Sequence, residues 1–351
     1  MKAKQQDQQV SLSIFKKRLK RFKSIKRGYY AFLIITFLYV LSFFFPLLIN
    51  NKAIVVKYEG KLYFPVFHFY SGETFGQDVM GEADYRLLDK QLEGQEGNWA
   101  LMPPYPYGPY ESLLDLPGEP PHKPSGSHWF GTDDRGRDVF ARMAYGFNIS
   151  MSFAIVLTLF SYTIGVSIGA FLGYYGGVFD IIMQRFIEVW SSMPFLYTII
   201  IIASIIQPTF WVLLILLTIF RWMGMTYYMR GEFYREKSKD YVSAAIAMGA
   251  TDREIMFKHI LPNSLTPIIS FFPFSVVGGI GSLVSLDYLG FGLAPPTPSW
   301  GELTRVGMEN IFNWWLILSP LGAMFITLLL VVFIGEAIRE AFDPKVFSRL
   351  R

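Results

Sequence analysis

Apolar and polar positions follow one another along this chain in long blocks. Residues 1–28 are polar, and from Lys16 to Arg27 they are dense in lysine and arginine. The run from Tyr29 to Ile49 is then apolar for about twenty residues, enough to cross the hydrocarbon core of a bilayer. Asn50 to about Ser127 turns polar and rich in proline and glycine. Apolar blocks return at Ile149–Tyr174, at a stretch running through Pro194 to Ile206, at Phe210–Tyr228, at Ser264–Leu286 and at Trp314–Ile334. Asp180–Trp190, with Asp180, Arg185 and Glu188, is amphipathic at best and reads as an interfacial helix leading into the third span. The pattern predicts an all-α membrane protein with six transmembrane helices and an extracytoplasmic insertion of mixed or irregular structure between the first two.

Shorter signals fill in the blocks. In the insertion, Ala53–Tyr58 and Leu62–Phe67 flank Glu59-Gly60 and predict a hairpin, with Pro65 holding the second strand to an edge. Gly165, Ser167, Gly169 and Gly173 give the second span the small-residue face that lets membrane helices approach closely. The fifth span carries Pro267, Pro273, Gly278, Gly279 and Gly281, breakers that neighbouring helices can enclose. Between the fourth and fifth spans lies a polar island, Asp240–Asn263. Asp240 can cap a helix whose body is small (Ser243, Ala244, Ala245, Ala247), and Gly249 suits its left-handed close. Thr251 and Glu254 form a capping box for a second helix that Pro262 ends.

Composition supports the membrane reading: 52% hydrophobic and 17% aromatic residues, with a mean hydropathy of +0.32. The net charge of +4 is unevenly spread. The arm and the tail are basic, and with the coupling region between the fourth and fifth spans they hold most of the lysines and arginines, whereas the insertion carries Glu73, Asp78, Glu82, Asp84, Asp89, Glu93, Glu96, Glu111, Asp115 and Glu119. Basic segments stay on the cytoplasmic side, so both termini are expected there and the arm is a topology signal rather than a nucleic-acid site. With no cysteine, thiolate chemistry is excluded. His68, His122, His128 and His259 form no His-Glu-x-x-His pattern, and no Gly-x-Ser-x-Gly elbow occurs, so no catalytic or metal site and no cofactor is expected. Asp133 to Asp138 lacks EF-hand spacing and is not a P-loop; it is expected to make ion pairs and tight turns at the outer end of the second span. Arg221, inside the fourth span, either lines a translocation path or pairs with a carboxylate between helices.

The island resembles the EAA loop of permease subunits of ATP-binding-cassette importers, through Ala244, Ala245, Gly249, Leu261 and Pro262, with Ser243 where the family has glutamate. Gly131, Thr132, Asp133, Gly136, Arg137 and Asp138 match the Gly-Thr-Asp-x-x-Gly-Arg-Asp signature of the second permease in the dipeptide, oligopeptide and nickel importer family. Leu289-Gly290-Phe291-Gly292 leading to Pro298-Ser299-Trp300-Gly301 is similar to the same family, and Val56–Pro65 resembles its Yej branch, associated with microcin C and peptide uptake. The resemblance implies a type I ABC importer permease fold in a bacterial inner membrane. It implies a homologous permease as heterodimer partner, separate ATPase subunits that hydrolyse ATP, and an extracytoplasmic solute-binding protein. Ser243, Ala244, Ala245, Gly249, Thr251, Glu254, His259, Leu261 and Pro262 then form the ATPase-coupling loop. The expected organisation is arm 1–28, first helix 29–49, insertion 50–145, permease core 146–340 and cytoplasmic tail 341–351. A channel or secondary transporter would need no ATPase, and a membrane-anchored scaffold would give the island no purpose.

Overall fold

The computed structural model describes residues 14–95 and 97–342. Residues 1–13 of the arm, Glu96 and residues 343–351 of the tail lie outside the described residues. The arm continues as a helix, α1 (Ile14–Ser24), joined through Ile25 to α2 (Lys26–Ser42). The two are bent by 95°, because a helix bearing Lys16, Lys17, Arg18, Lys20, Arg21 and Lys23 cannot follow the apolar α2 into hydrocarbon. The first span, expected over 29–49, is interrupted: α2 stops at Ser42, and after Phe43-Phe44 the short α3 (Phe45–Leu48) carries Pro46 in its first turn, where a missing N–H breaks no helical bond.

The insertion is mixed. Strands β1 (Val55–Tyr58), β2 (Lys61–Tyr63) and β3 (Trp99–Leu101) form an antiparallel sheet in the order β2-β1-β3, with Val56 opposite Tyr63 on one side and Ala100 on the other. The hairpin turns at Glu59-Gly60, both at positive φ. β2 ends before Pro65 instead of reaching Phe67, since proline cannot donate to the ladder. β3 has no counterpart in the sequence reading, being only three residues long. Helix α4 (Tyr85–Leu92) begins where the Asp84 carboxylate accepts the N–H groups of Arg86 and Leu87, both at 3.0 Å. Its buried face (Tyr85, Leu88, Leu92) packs with Ala53, Val56 and Phe75 as the core of this segment.

Then come α5 (Val139–Tyr175), α6 (Gly177–Ser191), α7 (Phe195–Ile205), α8 (Phe210–Lys237), α9 (Asp240–Ala247), α10 (Asp252–Glu254), a π-helical turn (Ile255–Ile260), α11 (Leu261–Asn263), α12 (Leu265–Tyr288), α13 (Trp300–Glu309) and α14 (Trp314–Phe342). Among the described residues, α5, α8, α12 and α14 are each long and apolar enough to cross a membrane, and the bent pairs α1–α2 and α6–α7 bring the total to as many as six. The helices outrun the spans read from hydropathy. α5 begins at Val139, well before Ile149, and α8 continues past Tyr228 to Lys237, because helix formation continues through polar residues where apolarity has ended. Ser299 caps α13, its hydroxyl accepting from Gly301 N–H at 3.1 Å and Glu302 N–H at 3.3 Å.

These elements group into two compact units. One comprises the described chain up to Thr36, Phe153–Ser282 and the chain from Ile326; the other comprises Phe37–Ser152 and Leu283–Phe325. In the first, glycine sets the packing. A Cβ added at Gly165, Gly169 or Gly173 of α5 would lie 2.5 Å from the carbonyl oxygen of Trp222, Thr226 or Arg230 of α8, respectively. Both rows advance by four residues, so the two backbones run in contact along one stripe. α2 meets α14 as closely, with a Cβ at Gly28 falling 2.1 Å from that of Ala337. The arm joins this packing: Phe22 is buried with Ala337, Ala341 and Phe342, and Arg21 and Arg27 pair with Glu340 and Glu336 at 3.3 and 3.2 Å.

Candidate functional site

The polar island is built as two short helices around a glycine, with differences in detail. Asp240 is not the cap of α9; Lys239 occupies that position and Asp240 sits in the first turn. Gly249 closes the helix at φ +83°, with open space where a side chain would begin. The capping box is complete: Glu254 N–H donates to Thr251 Oγ1 at 3.3 Å, and Thr251 N–H to Glu254 Oε2 at 3.2 Å. The Lys258 ammonium, at 2.9 Å, and the Thr251 N–H hold the Glu254 carboxyl down to about 2. Pro262 does not end the helix. Leu261 N–H reaches back five residues to Met256 O, and this wider π turn accommodates a proline that has no N–H and crowds the preceding turn.

One side of the island is anchored. Val242, Ala245, Ile255, Met256 and Ile260 are buried with Tyr162, Ala170 and Tyr174 of α5 and Met225, Met229 and Phe233 of α8. Polar contacts fasten it through Asp252 and Tyr241 and brace the helix ends beside it, none of them evident from the sequence alone. The Tyr174 hydroxyl donates to Asp252 Oδ1 at 2.6 Å. Lys237 Nζ donates to the Tyr174 carbonyl. The buried Glu236 carboxylate accepts from Lys239 Nζ at 2.6 Å and the Tyr241 hydroxyl at 2.9 Å. The other side is bare: Ser243, Ala244, Ala247 and Gly249 are exposed, beside Ile246, Met248 and Phe257, which are 56%, 81% and 51% exposed. His259 and Leu261 are half-buried and Pro262 is exposed. The island is thus a rigid knob on the ends of α5 and α8 with an outward face of small and apolar side chains. Nearby, Asp180 of α6 holds Arg230 of α8 through two bonds of 2.6 Å, and Arg185 pairs with Glu188 one turn on.

In the other unit, Gly131–Asp138 makes the expected turns and ion pairs. Gly131 and Gly136 have φ of +67° and +72°, and a Cβ at Gly131 would lie 2.3 Å from His122 O. The buried Asp133 accepts from the Arg137 backbone N–H at 2.9 Å and from its Nε at 2.7 Å. Arg137 and Arg142 share Glu302 of α13, and the Thr132 carbonyl accepts from Trp315 Nε1. Asp138 starts α5 by accepting Ala141 N–H at 2.8 Å, and also takes the Tyr105 hydroxyl at 2.7 Å and His128 Nδ1 at 2.8 Å. Burial first, then the Asp138 charge, push the Tyr105 phenol well above its ordinary range, so it stays a donor. Glu302 and Tyr105 are missing from the sequence-derived set because they lie far along the chain from the signature, and Arg142 because it falls four residues beyond the signature's end.

Arg221 pairs with no carboxylate among the described residues, which corrects one of the two expectations for it. Its Nη1 donates to Gly278 O at 3.1 Å and Ser282 Oγ at 2.9 Å, and its Nη2 to Ser275 O at 3.4 Å. It lines a cavity of about 340 Å³ walled by three helices at helical spacing: Thr158, Ser161 and Tyr162 of α5, Gly224, Met225 and Tyr228 beside Arg221 on α8, and Phe271, Phe274 and Ser275 of α12.

Comparison with known proteins follows from this geometry. Residues 165–348 match the family described as binding-protein-dependent transport system inner membrane component. The chain is 43% identical over 331 residues to the inner membrane ABC transporter permease protein YejE of Escherichia coli K12, covering 93% of this chain and 96% of that protein. It is 39% identical over 354 residues to the peptidoglycan transport system permease protein YejE of Agrobacterium fabrum, covering 94% and 93%. It is 37% identical over 227 residues to the dipeptide transport system permease protein DppC of Bacillus subtilis, covering 64% and 70%. Permeases of this family have the type I importer fold and do not themselves hydrolyse ATP, a task of a separate subunit. The chain therefore belongs to the family of binding-protein-dependent transport system inner membrane components, as a multi-pass permease subunit of an ABC importer that works with an ATPase and a solute-binding protein.

Proposed function

We propose that this permease carries peptides or peptide-like compounds, microcin C among the latter, and that Asp240–Asn263 is its seat on the ATPase. It forms half of a heterodimer with a homologous permease, and both termini lie on the ATPase side. The names of its relatives support the cargo class. The basic arm and the acidic insertion support the orientation. The observation that carries the coupling role is the two-sided island. Its inner face is locked onto α5 and α8, and its outer face presents Ala244, Ala247 and Gly249 among exposed apolar side chains. Small residues let a partner's backbone come close; the anchored face turns a push on the island into a movement of two spanning helices. The Gly131–Asp138 cluster acts as an anchor at the start of α5, since its buried carboxylates are engaged by partners of its own unit.

Replacing Ala244 with tryptophan tests the seat without straining the fold, because the position is exposed. A244W is expected to insert at the wild-type level, to lose the ATPase on purification and to lose ATP-driven uptake. Gly249→Trp is expected to do the same, while Gly249→Asn, which tolerates a left-handed backbone, retains coupling. Normal uptake by A244W with its ATPase still bound contradicts the assignment.

A further inference from the structure

We infer that the cavity beside Arg221 binds a carboxylate of the cargo as it passes through the membrane. The inference rests on the peptide-importer reading and adds to it a chemical group and the residues that meet it.

The cavity holds a charge without a counter-charge. Arg230, also on α8, is neutralised by Asp180 through two short bonds. Arg221, by contrast, is held only by neutral groups, two carbonyls and a hydroxyl of α12, and has no ion pair among the described residues. Those acceptors fix its direction without cancelling its charge, and an uncompensated charge among apolar helices is costly unless something anionic visits it. Glycine makes the arrangement fit: a Cβ at Gly278 would lie 2.8 Å from Arg221 Nη2.

A second observation is independent of the arginine. The Ser161 hydroxyl, on a residue only 3% exposed, has no hydrogen-bond partner among the described residues and lines the same cavity. Buried hydroxyls are ordinarily satisfied. A guanidinium fork and a free hydroxyl donor together suit the two oxygens of a carboxylate. Phe271, Phe274 and Tyr228 supply apolar wall for whatever side chain adjoins it. At about 340 Å³ the space is near the lower end of small-molecule pockets, roughly 300–1,000 Å³, and admits one end of a peptide. Passage also requires release, and a cation already held by three acceptors binds its visitor weakly enough to let it go.

The test uses the complete importer, with ATPase, partner permease and binding protein, reconstituted in proteoliposomes. The probes are alanine tetrapeptide as the free acid, its C-terminal amide, and the amide with one alanine replaced by glutamate. Arg221→Gln keeps a donor for the α12 carbonyls and removes the charge, and Arg221→Lys restores the charge. R221Q is expected to take up the free acid about tenfold more slowly than wild type, and R221K within about threefold. Uptake of the plain amide is expected to differ little among the three. A matching loss on the glutamate-bearing amide shows that side-chain carboxylates use the site too; loss on the free acid alone assigns it to the peptide terminus. Ser161→Ala is expected to slow the free acid by two- to threefold, and it carries the test if R221Q fails to assemble. Equal slowing of acid and amide by R221Q and R221K alike, or no slowing of the acid by either R221Q or S161A, overturns the site. If wild type accumulates none of these probes, nor any member of a tryptic peptide pool, the peptide-importer reading falls and this site with it.

Discussion

Glu254 shows how a single exposed side chain organises the island. It accepts the Thr251 N–H, orients the Thr251 hydroxyl and receives Lys258, and its carboxyl is held near 2 against an ordinary 4.5. A depressed folded value means the capping interaction is fully present above pH 4.5 and is lost as pH falls towards 2. Carboxyl NMR of glutamate-labelled protein, assigned by comparison with Glu254→Gln, should find a midpoint near 2 at low salt that rises as salt screens Lys258. A midpoint at 4.5 under low salt rules out the capping box in solution. Glu302 is the buried counterpart, shared by Arg137 and Arg142 with all three side chains almost wholly enclosed. Removing one member of such a group strands the others, at a cost of about 3–5 kcal/mol. Glu302→Ala should lower the denaturant midpoint of the detergent-solubilised protein accordingly; a change under about 1 kcal/mol would show that the network is solvated.

At the scale of elements, the contact of α5 with α8 is the one on which the island depends. Gly165, Gly169 and Gly173 each leave room for one carbonyl of α8. Gly169→Ala should therefore destabilise by about 1–3 kcal/mol through overpacking and weaken transport, whereas Gly281→Ala and Gly322→Ala, at helix positions with open space around them, should be near neutral. Thermal unfolding of the three variants separates them, and equal midpoints would mean that the backbones are not in contact. The small-residue stripe was legible because its spacing is local, and so were Gly249 and the capping box. What escaped the sequence was set by neighbours distant in the chain. Pro262 was read as a stop because the π turn that absorbs it cannot be foreseen from helix signals. The two fates of Arg221 stayed open because no periodicity tells whether a buried cation meets a carboxylate or a carbonyl. Glu302 could have been found only by asking which acid answers two arginines, one in the signature and one just after it.

For the whole molecule, family membership and the two-sided island give one account. ATP hydrolysis takes place in another subunit, and in the proposal made above the permease receives its effect through a small, stiff element fixed to two spanning helices. Helix ends, caps and glycine contacts are spent on keeping that element rigid, while its outer face is left small and apolar. The absence of cysteine from the sequence makes the decisive measurement direct. Ser243→Cys is nearly isosteric and lies on the exposed face of α9; in the complete importer it should cross-link to a cysteine in the surface groove of the ATPase, with a yield that changes between nucleotide-free and ATP-bound states. Thr297→Cys, in the loop before α13, should give no such product. A complex that keeps its ATPase but cross-links from neither Ser243→Cys nor Ala247→Cys would contradict the coupling role of Asp240–Asn263.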